Sequence, residues 1–119
     1  MLEFVASRTG DLPLYVTESG AAYPLDELDP TLDPERVSFL RRHLAAASTA
    51  MERGVPLRGY FVWSLLDNFE WAHGYAYRFG IIHVNFDTLE RRVRDSATFW
   101  SAVARSGVLP AEVQAPSSP

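Results

Sequence analysis

The sequence predicts an α/β fold built on a parallel strand pair, and three observations predict it. "LYVTE" after Pro13 reads as a short buried strand, "LRGYFVWSLL" after Pro56 reads as a second, and the segment between them repeats its apolar residues at helical spacing. Strand, helix and strand in that order form a right-handed βαβ unit whose strands run parallel.

Each element has its own local reason. In "LEFVASR", residues 2–8, the apolar side chains of Leu2, Phe4, Val5 and Ala6 followed by Gly10 read as the closing turns of a helix. The strand after Pro13 stops at Ser19-Gly20, and residues 21–32, with Pro24 and Pro30, form a polar loop long enough to be functional. Asp33 is a good N-cap, Pro34 suits the first helical position and Glu35 faces the positive helix end. Val37, Leu40, Leu44, Ala47 and Met51 then make one apolar stripe, which Gly54 closes. Tyr60, Phe61, Val62 and Trp63 are nearly continuous, the pattern of a strand covered on both faces. A loop dense in aromatics follows, "DNFEWAHGYAYRFG". Ile82, Val84 and Phe86 then alternate with His83, Asn85 and Asp87, and with Asp87-Thr88 as a turn they predict a small antiparallel hairpin. "RDSATFWSAVARSG" closes as a helix with Asp95 or Ser96 as N-cap, Phe99, Trp100 and Val103 on the buried face and Gly107 as stop. The expected ordered region is 1–109, and the tail from Pro110 has the composition of a disordered segment.

Composition excludes several classes. The 119 residues are 47% hydrophobic and 22% charged with a net charge of −4, as for an ordinary globular chain, and no run of like charges invites nucleic acid or an anionic membrane. With no cysteine there is no disulfide, thiolate metal site or thiol nucleophile. No apolar run approaches the roughly 20 residues that span a bilayer. The N-terminal residues lack a basic segment followed by an apolar one, so the chain reads as cytoplasmic. His73 and His83 pair with no carboxylates at metal-ligand spacing and read as surface residues. Arg91, Arg92 and Arg94 read as a solvated turn.

Glu18 stands at the carboxyl end of the first strand and Trp63 at that of the second, the ends that face the ligand crevice in parallel α/β folds. The loop beyond adds Glu70 and Trp71. Carboxylates beside indoles suit carbohydrate, because rings stack on the C–H face of a pyranose while a carboxylate accepts from adjacent hydroxyls. On the residues alone the alternatives stay open: Glu18 also fits a salt-bridged strand end, Trp63 a core position, and Glu18 with Glu70 a nucleophile and acid pair.

"YVTESG", then "GYFVWSLLDNFEWAHGYAYRFGIIHVNFDT" and "RVRDSATFW", closely resemble the C-terminal part of glycoside hydrolase family 1, the β-glucosidase and β-galactosidase family, over roughly residues 11–104. The resemblance implies a (β/α)8 barrel of retaining enzymes that need no cofactor or metal. It makes the two strands the seventh and eighth and residues 1–8 the end of the sixth helix. It implies that Glu18 is the nucleophile, Trp63 the platform beneath the glycone ring, Glu70 the acid that grips the 4- and 6-hydroxyls, Trp71 a donor to a ring hydroxyl and Phe79 the aromatic wall near the 6-position. Ser19 stands where the family usually has Asn, and Asn85 where Asp is usual. The family's acid/base glutamate lies in a "TFNEP"-like stretch that these 119 residues do not contain, and a (β/α)8 barrel takes about 250 residues. The expectation is therefore a C-terminal fragment of the barrel, inactive alone, whose partners are a β-linked glucoside or galactoside in the complete enzyme and a complementing N-terminal fragment. A non-catalytic sugar-binding remnant and a non-functional truncated gene product are the alternatives.

Overall fold

The computed structural model describes residues 1–23 and 29–110. Pro24 of the expected loop, and the expected tail beyond Pro110, lie outside the described residues. The chain runs α1 (Leu2–Thr9), β1 (Leu14–Ser19), α2 (Pro34–Glu52), β2 (Leu57–Val62), β3 (Ile82–Val84), β4 (Arg91–Val93) and α3 (Asp95–Ser106), with one 3-10 turn at Trp71–His73. β1 and β2 pair in parallel, from Leu14 opposite Leu57 to Ser19 opposite Val62, so α2 is the crossover of a βαβ unit. β3 and β4 form the antiparallel hairpin.

One face of the parallel pair holds the core. Leu14, Val16, Leu57 and Tyr60 pack with Ala47 and Ala50 of α2, Val55, and Leu2 and Ala6 of α1. Alanines at the helix surface let the helix lie close to the sheet, and strand alternation, reset by the register shift between Leu57 and Gly59, sends the other residues to the far side. There Tyr15 is 56% exposed, Phe61 58% and Trp63 40%. The expectation that the second strand is covered on both faces therefore holds for one face only. Two strands cannot curve into a closed ring, and the side that would look into a barrel stays open.

α2 begins and ends where the sequence places it, but its buried stripe differs. Of the expected stripe, Leu40 and Ala47 are buried, Val37 and Leu44 are half-buried and Met51 is half exposed, while Arg36 and Ala50 join the buried face. Asp33 sits at the N-cap position without capping α2 through its side chain. Its carboxylate instead pairs with Arg36 and reaches across to α3, accepting from the Ser96 backbone N–H at 2.9 Å and from the Ser96 hydroxyl. The N-cap position of α3 belongs to Arg94, not to Asp95 or Ser96. One buried carboxylate thus supplies to α3 the acceptor that its own first turn lacks. Gly107 closes α3 at φ 67°, where a Cβ would be strained. No helix among the described residues is long and apolar enough to cross a membrane.

Removing that carboxylate leaves Arg36 buried without its partner and the Ser96 N–H without an acceptor. Asp33→Ala should therefore destabilise the fold by roughly 3–5 kcal/mol, the range for one partner lost from a buried pair. Urea unfolding followed by far-ultraviolet circular dichroism measures it, and a loss under about 1 kcal/mol, as for a surface pair, would contradict the cross-helix role.

Candidate functional site

The parallel register sets the two strand ends side by side. The Trp63 N–H donates to the Ser19 carbonyl at 3.0 Å, so Glu18 and Trp63 emerge next to each other at the carboxyl edge. Gly20 passes directly beneath: a Cβ there would lie 1.7 Å from the Trp63 carbonyl oxygen. Only glycine allows this approach. The Trp63–Ser64 peptide is cis.

The chain then makes a return trip whose two arms are bonded to each other. The Ser64 N–H donates to the Phe79 carbonyl at 3.2 Å, Ile81 to Ser64 at 2.9 Å, Ile82 to Leu65 at 2.9 Å and Asp67 to Ile82 at 3.2 Å. Buried Ser64 donates its hydroxyl to the Leu66 carbonyl at 2.8 Å and accepts from the Asn68 amide at 2.8 Å. Between the arms, the 3-10 turn at Trp71–His73 is closed by the Glu70 N–H to Gly74 bond at 2.7 Å and the His73 N–H to Glu70 bond at 2.8 Å. Trp71, at φ 42°, is left 83% exposed at the rim. Phe69 meets Tyr75 edge-on at 5.4 Å, Tyr75 meets Phe86 at 4.4 Å, and Arg78 covers Phe86 at 4.3 Å, so the aromatic loop packs on itself and on Phe86 of the hairpin.

These elements enclose an open hollow of about 640 Å3, and Glu18, Trp63, Glu70, Trp71 and Phe79 all line it. That volume is in the range of ligand sites, roughly 300–1,000 Å3. Ser19, Gly20, Asn68 and Phe69 complete the lining, four residues that the sequence reading did not name as site residues although each lies within two positions of Glu18 or Glu70. Among the described residues the lining therefore carries two carboxylates, aromatic faces and an amide, and no cationic side chain. Among the described residues no group of three or more His, Asp or Glu is placed to hold a metal ion.

Behind the hollow lies a buried ionic cluster, and here the structure corrects two expectations. Asp67 has no exposed side-chain surface and pairs with Arg94 at 2.9 Å and Arg78 at 3.6 Å, with the His83 ring nitrogen Nδ1 3.4 Å away. Arg94 is 3% exposed and His83 6%, so neither is the surface residue its sequence neighbours suggest. Arg91 and Arg92 do remain exposed, because β4 is open on both of its faces, while Arg94, at the start of α3, is buried. His83 stands on β3 with its ring against Asp67, and only the tertiary position of that carboxylate marks it.

A match to the family described as Glycosyl hydrolase family 1 spans residues 1–108. The chain belongs to that family. It is 47% identical over 98 residues to β-glucosidase A of Thermotoga maritima, covering 81% of this chain and 22% of that protein. It is 46% identical over 111 residues to the 1,4-β-D-glucan glucohydrolase of Thermotoga neapolitana, covering 92% of this chain and 25% of that one. The solved family 1 β-glucosidase of T. maritima superposes with a TM-score of 0.86 at 43% identity, over 92% of this chain and 25% of the enzyme. The family 1 chain thus spans about a quarter of the length of these relatives, and its fold is an unclosed part of their (β/α)8 barrel.

Two predictions follow from this geometry. Gly20→Ala should push the Trp63 carbonyl away and change the indole's surroundings, read as a shift in tryptophan emission at retained helical circular dichroism; an unchanged spectrum would contradict the close approach. Burial holds His83 below its ordinary pKa, the Arg94 charge adds to this, and Asp67 works against it. The folded ring is therefore neutral where the unfolded imidazole, near 6.5, begins to bind a proton. Stability is then lost as pH falls from about 6.5 toward the lower folded value, with no contribution above that window. His83→Gln should flatten this acid-side slope in urea titrations between about pH 7 and pH 5, and equal slopes in both proteins would refute it.

Proposed function

We propose that this chain is the nucleophile-bearing part of a retaining β-glycosidase that hydrolyses terminal β-glucosides or β-galactosides, and that its activity requires the rest of the barrel. The supporting observation is the single hollow that gathers Glu18 from the end of β1, Trp63 from the end of β2, and Glu70, Trp71 and Phe79 from the loop beyond. Family membership and relatives named as β-glucosidases favour this reading.

In the proposed mechanism the glycone ring lies on Trp63, Glu70 accepts from its 4- and 6-hydroxyls, Trp71 donates to a ring hydroxyl and Phe79 walls the 6-position. A Glu18 carboxylate oxygen attacks the anomeric carbon as the bond to the leaving oxygen breaks. The leaving oxygen takes a proton from an acid supplied by another part of the barrel. Water then attacks the glycosyl ester, that same residue accepts its proton, and Glu18 returns as carboxylate. A carboxylate at a rigid strand end needs little reorganisation to attack. Glu70, engaged with hydroxyls in its ionised form, does not serve as the acid.

The acid/base function contributes about 10²–10⁴-fold and positioning by the remaining walls contributes more. The chain alone should therefore show no measurable hydrolysis of 4-nitrophenyl β-glucoside. Co-expressed with the segment of T. maritima β-glucosidase A that precedes the matched region, it should hydrolyse that substrate, and Glu18→Gln should abolish the activity. Activity from the lone chain, or from the Glu18→Gln complex, would overturn the proposal.

A further inference from the structure

The segment from Trp63 to Gly80 supplies six of the nine residues around the hollow, yet its one piece of regular structure is the 3-10 turn. We propose that the buried Asp67–Arg94 pair is what positions this segment, so that the two act as positioning residues for recognition of the C6 end of the sugar. The inference rests on the glycosidase reading above.

The pair grips the segment just after Phe79 and just before Asn68. Asp67 Oδ1 accepts from the Gly80 N–H at 3.0 Å and Oδ2 from the Val84 N–H at 3.3 Å. The Arg94 fork donates Nη1 to Oδ1 at 2.9 Å and Nη2 to Oδ2 at 3.1 Å. Arg94 Nη1 also donates to the Gly80 carbonyl, and Nε to the Pro30 carbonyl at 2.9 Å. Gly80 is thus held by its N–H to one partner and by its C=O to the other. Phe79, the residue before it, has its own carbonyl tied to Ser64, beside Trp63. The fit leaves no slack: a Cβ on Gly80 would lie 2.2 Å from the Asp67 nitrogen. On the far side Arg94 anchors the start of α3, and its N–H donates to the Ile81 carbonyl at 3.1 Å.

A buried ion pair is poor evidence of added stability, since taking both charges out of water offsets much of their attraction. What a bidentate fork supplies is a fixed distance and plane. Here those fix the line of backbone from which Phe79 points into the hollow and from which Asn68, Phe69 and Glu70 depart. In the proposed complex Phe79 and Glu70 meet the C6 hydroxymethyl and its neighbour at C4, so loss of the fork should be felt at that end of the ring.

The test compares 4-nitrophenyl β-glucoside with 4-nitrophenyl β-xyloside, which lacks the C6 group, using the co-expressed complex described above. Arg94→Lys keeps the charge and removes the fork; Asp67→Asn keeps the shape and removes the charge. In complexes that remain soluble with unchanged circular dichroism, kcat/KM for the glucoside should fall by about 10- to 100-fold, as for small misplacements of a site. Xyloside turnover should change much less, so the glucoside-to-xyloside ratio falls about 10-fold. A lost folded fraction lowers both substrates alike and leaves the ratio unchanged, and that result, or no change in either rate, overturns the inference while leaving the glycosidase reading intact. If neither variant gives a soluble complex, the pair is structural and the inference is likewise overturned. A wild-type complex inactive on both substrates overturns the glycosidase reading and the inference with it.

Discussion

The carboxylate of Asp67 is the charge around which the second half of the chain is organised. It is fully buried, it faces three cationic or ionisable side chains, and it accepts from two backbone N–H groups in the hairpin arm. An isolated ion in that position would be prohibitively costly, so the partners must arrive together: Arg94 from the start of α3, Arg78 from the end of the aromatic loop, His83 from β3. Arg78 extends the set further, because its carbonyl accepts from Arg36 at 2.6 Å, and Arg36 pairs with Asp33, which holds Ser96. Two carboxylates against three guanidiniums link α2, the loop, the hairpin and α3. Most of the molecule outside the βαβ core is joined through this chain of contacts.

The same backbone carries the hollow. Asp67 is followed by Asn68 and Arg78 by Phe79, and in each case the first residue turns into the ionic cluster and the second toward the open side. A loop with almost no regular secondary structure can hold side chains in place when the residues beside them are fixed by a buried ionic cluster. The open face of the parallel pair is the complementary half of the arrangement. Tyr15, Phe61 and Trp63 lie exposed on it, and unpaired strand edges flank it, a surface that in a closed barrel is interior.

What was legible in the sequence follows from how local each signal is. The βαβ unit, the hairpin and the closing helix rest on period, proline and glycine, which act within a few residues, and the structure has all three. The gathering of Glu18, Trp63, Glu70, Trp71 and Phe79 in one hollow was legible through the resemblance carried by "TESG" and "WSLLDNFEW" rather than through pattern alone. What could not be read is where buried charges find their partners. Asp33 looks like a cap for its own helix and serves another 63 positions away. Arg94 looks like part of a basic turn and reaches Asp67 across 27 positions. His83 alternates with apolar residues as a solvent-facing strand residue would, and lies inside because the hairpin packs its other face on the loop. Ion pairs over such separations have no periodic signature, so charge in the sequence reads as surface until the fold is known.

The composition of the hollow gives a physical reason for the proposed activity to require the whole barrel. Glu18 and Glu70 face one open space whose lining here contains no cation. While that space is wet, two such charges even 4 Å apart repel by only about 1 kcal/mol. In the proposed complete enzyme, closing the remaining wall around a sugar would expel the water, and at an effective dielectric near 20 the same repulsion rises to about 4 kcal/mol. The proposed closed site would therefore depend on donors that these residues do not provide: under the glycosidase proposal, the sugar's hydroxyls for Glu70 and groups from the rest of the barrel for Glu18. An open quarter of the barrel avoids the repulsion by staying hydrated, and hydration is the condition under which a carboxylate is a poor nucleophile toward an acetal carbon. The open face and the lack of catalysis proposed for the lone chain thus have a common origin in the missing walls.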